Sequence, residues 1–192
     1  MEQDLIRDIL DFWFRDGRDG YRELWFRRDD AFDAEIRARF GGLVIPAREG
    51  RFNSWADTPE GALALAILLD QFPRNLFRGS PEAFASDPQA LVLARRVIRE
   101  RLDLDLTPVE RGFLYLPLEH AESMAAQNES VAAFEGLRDV PQSARPGGTI
   151  DYAWRHWHVI RRFGRFPHRN AVLGRDSTLA EQAYLAQPGA GF

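Results

Sequence analysis

The chain has no cysteine and no lysine, and each absence removes a class of chemistry. Without cysteine there is no disulfide, no thiolate nucleophile and no cysteine-ligated zinc. Without lysine there is no Schiff base, no lysine general base and no Walker-type phosphate loop. Long apolar runs are missing too. The longest, Ala62–Leu69, has eight residues, against the roughly 20 that a membrane-spanning helix needs. The N-terminal MEQDLIRDIL carries early acids and an amphipathic pattern, unlike a signal peptide. A cytoplasmic protein without a membrane partner is the expectation. With 192 residues and 45% apolar content, one helical domain spanning residues 1–192 is expected.

Period-two alternation is scarce as well. Apolar residues instead recur at three- and four-residue steps, the helical pattern. Leu5, Ile6, Ile9, Leu10, Trp13 and Phe14 form one stripe, and Phe32, Ile36 and Phe40 another within 31–44. Thr58-Pro59-Glu60, Ser86-Asp87-Pro88 and Thr107-Pro108-Val109-Glu110 each read as a helix start. The first opens onto Ala62–Leu69, apolar on every side, which predicts a central buried helix that stops at Phe72-Pro73. Pro117 predicts a break, with Leu118-Glu119-His120-Ala121-Glu122 opening a new helix. Further helices are expected over 150–163 and 177–186, the last with a capped Ser-Thr-Leu-Ala-Glu start, and a loop over 144–148. The expected fold is all-α, about eight helices in antiparallel pairs.

All 25 basic residues are arginine, and six of them (155, 161, 162, 165, 169 and 175) fall in a window that holds no acid. A net charge of −4 therefore leaves −10 for the rest of the chain. Such a window either meets an external anion or pairs with acids from elsewhere in the fold. A pI near 5.6 argues against a nucleic-acid partner.

Within the window lies RFGRFPHRN, echoed upstream by QFPRNLFRG. Both copies are expected to end a helix and turn the chain, Phe plugging the core while Arg and Asn stay at the surface. Side by side, Gln71, Arg74 and Asn75 of one copy and His168, Arg169 and Asn170 of the other would form a donor-rich wall for carboxylate or phosphate. Asp70, at the end of a buried apolar run, needs a cationic partner such as Arg74. On the helix over 150–163, His156 points into the apolar face, while His158 and Arg162 share the polar one. These two histidines sit roughly 200° apart at about 100° per residue, so HWH is not a metal motif. Glu119 and Glu122 share a face with His120 beside them, a carboxylate–imidazole couple suited to general-base chemistry or to pairing with Arg161, Arg162, Arg165 and Arg169.

LLDQFPRNLFRG, FLYLPLEHAE and HWHVIRRFGRFPHRN, in this order and with the early DFWF and late LGRDST, resemble the uncharacterised bacterial family known as domain of unknown function 924. The resemblance implies an all-helical fold similar to a right-handed tetratricopeptide-like array, and it implies no established activity. Three functions stay open. The first is a module that binds a small anion or acidic peptide in an Arg/His/Asn/Glu-lined pocket. The second is a hydrolase or transferase with Glu119 or His120 as base and His158 as a further candidate. The third is a polar network that only holds the fold of a partner-binding protein. No cofactor and no metal ion is expected; a Glu119/Glu122/His120 metal site and RNA binding by RRFGRF are the outlying alternatives.

Overall fold

The computed structural model describes residues 2–191, and every regular element among them is helical. The chain forms two compact units, one comprising the chain up to Arg78 with Glu82–Pro117, the other Gly79–Pro81 with Leu118 onward. No helix among the described residues is long and apolar enough to cross a membrane.

The first unit contains α1 (Glu2–Trp13), α2 (Asp30–Arg48), α3 (Pro59–Ala66), α4 (Phe72–Leu76), α5 (Asp87–Glu100) and all but the last two residues of α6 (Pro108–Glu119). Its core is aromatic. Trp13 stacks on Trp25 with ring centres 6.1 Å apart, and Phe72 meets Trp13 edge-on at 5.6 Å and stacks on Phe40 at 5.2 Å. Thr58 and Thr107 cap their helices as the sequence implies, and Asp29 caps α2 without having been marked there. Asp29 accepts from Phe32 N and Thr58 from Gly61 N, and Thr107 and Glu110 form a reciprocal capping box.

The helix expected to stop at Phe72-Pro73 runs on. Proline at 73 has no N–H for the carbonyl of Leu69, four residues back, and its ring crowds that carbonyl. The chain responds by widening into a π-helical turn over Ile67–Gln71, with Phe72 N–H reaching Ile67 O, and then resumes as α4. Ser86 supplies the missing donor: its hydroxyl bonds Leu69 O at 2.7 Å. That is why Ser86, at the N-cap position of α5, makes no side-chain cap. Pro117 likewise fails to break α6, which ends at Glu119. So close to the helix end, the proline removes a single bond, the one to Phe113 O.

The second unit contains α7 (Met124–Glu135), the single turn α8 (Pro141–Ala144), α9 (Thr149–Phe163) and α10 (Leu179–Leu185). Met124, opening α7, packs against the cluster that holds Val159 and Ile160 near the end of α9, while Glu135, closing α7, bonds Trp154 near its start. The two helices therefore run antiparallel. Gly164 ends α9 in the left-handed region at φ 71°. Thr178 and Glu181 form the capping box of α10 that the sequence signals. With 59–76 counted as one continuous segment and α8 left out, the described residues hold eight helices.

Candidate functional site

In the first unit, Asp70, Gln71, Arg74 and Asn75 lie on or beside the π turn, and their polar groups are taken up locally. Arg74 bonds Asp87 through both terminal nitrogens at 2.9 and 3.0 Å, and also Asp70 at 3.1 Å. Burial works against its charge, but Asp70 and Asp87 outweigh it and hold the guanidinium above its ordinary pKa. Gln71 donates to Asp70 at 2.5 Å, and Asn75 to Asp33 at 2.8 Å. This network ties an irregular helix to α2 and α5, which accounts for the buried Asp70.

The second unit gathers a different cluster. Glu119 closes α6, where α7 seals the helix end: Gln127 Nε2 donates to Glu119 O at 2.6 Å and to Ala121 O at 2.9 Å. The Glu119 carboxylate lies 3.1 Å from His156 Nδ1, and both side chains are buried. The same nitrogen lies 2.9 Å from Tyr152 O. Both neighbours are acceptors, so the proton sits on Nδ1 and the neutral ring carries its lone pair on Nε2. Burial holds His156 well below the usual imidazole range, and the positive potential of His120, Arg169 and His168 pushes the same way. The bond to Tyr152 O opposes them and loses.

Phe166 is the hub of this cluster. It is fully buried, and His156 meets it edge-on with ring centres 5.5 Å apart. His168 lies 5.6 Å from it on another side, and the Arg169 guanidinium 4.5 Å from its centre. His120 completes the group, 6.2 Å from His156. A second carboxylate braces the loop. Glu122 accepts from Phe166 N at 2.8 Å and takes both ends of Arg175 at 2.6 and 2.9 Å. Burial opposes its ionisation, but the Arg175 fork and the Phe166 N–H outweigh it and keep its pKa below the ordinary range. Arg175 Nε also donates to Asn170, whose amide donates to Ser177 at 3.0 Å.

Several expectations change here. Glu119 and Glu122 do not open a helix together; one ends α6 and the other lies in the turn before α7. The arginine excess is met by Asp151 at Arg155, Glu181 at Arg165 and Glu122 at Arg175, so Glu122 chooses Arg175 over Arg161 and Arg162. The two Phe-Pro copies differ: one is helical within α4, the other a single 3-10 turn, Pro167–Arg169, beyond Gly164. Both phenylalanines plug the core, but Asn75, Arg169 and Asn170 are buried rather than at the surface: Asn75 donates to Asp33, Asn170 accepts from Arg175, and the Arg169 guanidinium lies over Phe166. His158, Arg161 and Arg162 lie on the exposed face of α9, apart from His156. Gln127 carries no signal in the sequence and Phe166 signals only a core plug, whereas Arg175 is marked by its place in the acid-free arginine window and in LGRDST, though not as the partner of Glu122.

Among the described residues, no three His, Asp or Glu side chains group as a metal site. Comparison with curated proteins finds no match. The chain is similar in structure to a protein of unknown function, ATU0120 from Agrobacterium tumefaciens, with 38% identity and a TM-score of 0.85 over 97% of this chain and 99% of that one. Residues 9–189 match the family described as bacterial protein of unknown function (DUF924), and the chain belongs to that family.

Proposed function

We propose that the second unit binds a small anion, a phosphate or carboxylate, at the cluster around Phe166. What supports the reading is the grouping of His156, His168 and Arg169 around one aromatic ring with His120 beside His156, where the positive potential of His120, Arg169 and His168 adds to burial in holding His156 neutral. Arg169 supplies a planar fork and the imidazoles supply adjustable donors. The test is thermal unfolding in phosphate, sulfate or acetate against chloride at matched ionic strength. Saturable stabilisation, lost in Arg169→Gln, supports the reading; equal midpoints in all four salts refute it.

A second reading follows from the Glu119–His156 geometry. A carboxylate and a carbonyl that fix the Nδ1 proton leave Nε2 as a base, which moves the catalytic role from Glu119 or His120 to His156, with Glu119 as its orienter. Turnover of a phosphate or carboxylate ester that vanishes in His156→Gln and drops in Glu119→Gln would support it. Equal rates in both variants would end it.

A further inference from the structure

Tyr152, Trp154, His158, Arg161 and Arg162 face solvent along α9, with Trp157 half-buried among them. Trp154, Trp157, His158 and Arg161 follow the spacing i, i+3, i+4, i+7, so they form one stripe. The indoles are fixed: Trp154 Nε1 donates to Glu135 at 2.9 Å, Trp157 Nε1 to Asn128 at 2.7 Å, and the two rings meet edge-on at 5.5 Å. Arg161 lies 5.0 Å over Trp157, and Arg162 4.8 Å over Phe163. Neither arginine has an acidic partner among the described residues, whereas Arg155 is tied to Asp151 and Arg165 to Glu181. Two guanidinium groups without acidic partners beside rigid, exposed tryptophan are well suited to an interface.

We propose that this face docks an acidic peptide segment of a partner protein, its carboxylates on Arg161 and Arg162 and an apolar side chain against Trp154 and Trp157. Charge decides the class of partner. Among the described residues of this face only two guanidinium groups lack an acidic partner, and the Glu135 and Asp151 carboxylates border it, so a polyphosphate chain would pass over like charge. A short acidic segment meets the arginines and avoids both acids. The surface is independent of the cluster around Phe166.

The experiment is fluorescence anisotropy with a labelled peptide of alternating Glu and Leu, at low salt and with saturating phosphate present. Binding is expected, with affinity about tenfold lower in the Arg161→Gln/Arg162→Gln variant, the sum of two exposed ion pairs. Trp154→Ala weakens it too, and Arg155→Gln leaves it within about twofold. Equal affinity of the double variant, or no binding by the native protein, overturns the proposal. So does tighter binding of oligouridylate of equal charge, which would make this a nucleic-acid face. Self-association of the native protein that the double variant abolishes would make it a contact between copies, and would equally overturn it.

Discussion

His156 and His158 are two residues apart, yet one is buried against a carboxylate and the other lies in water beside two indoles. The helical period separates them, and this much is legible in the sequence. The pH behaviour of His156 follows from its burial. Its folded pKa lies below the unfolded value of 6.5, so below that pH the unfolded chain binds more protons and stability falls. The loss begins near pH 6.5 and steepens to at most about 1.4 kcal/mol per pH unit for one group. Urea unfolding between pH 7 and 5 should show this slope in the native protein and a shallower one in His156→Gln. A second prediction separates the arginines. Arg175→Gln removes a pair of charge-assisted hydrogen bonds to Glu122 and should cost about 1–3 kcal/mol. Arg161→Gln should stay within about 0.5 kcal/mol. Denaturant midpoints of the two variants check both values. Sequence order favours Arg161–Arg169 as partners of Glu122, because pattern reading carries no distances and a turn such as Gly164 redirects the chain.

At the scale of elements, helix starts were readable because a cap and its N–H lie within three residues; Thr58, Thr107 and Thr178 all behave as written. The π turn was not. A proline after eight apolar residues reads locally as a stop, and the donor that lets the helix continue is Ser86, beyond the end of α4. Ser86→Ala leaves Leu69 O buried and short of a donor, so it should cost about 1–3 kcal/mol. Pro73→Ala restores an N–H at 73, and in that background the Ser86→Ala penalty should shrink by at least half. A double-mutant cycle by urea unfolding measures the coupling. Additive penalties would mean that Ser86 and Pro73 do not serve the same carbonyl.

For the whole molecule, the all-helical class and the number of helices followed from periodicity, since apolar steps of three and four survive any error in helix ends. The candidate cluster was legible as a set of residues but not as pairs. Glu119, His120, His156, His168 and Arg169 were each identifiable, whereas the hub Phe166 looked like a core plug and nothing more. The positive potential at that hub is the central claim, and histidine NMR tests it most directly. Titrating phosphate into the nitrogen-labelled protein at constant pH and ionic strength should shift His120, His156 and His168 together to saturation, with His158 unmoved. A response confined to His158, or a linear drift of all four histidines without saturation, would contradict the account.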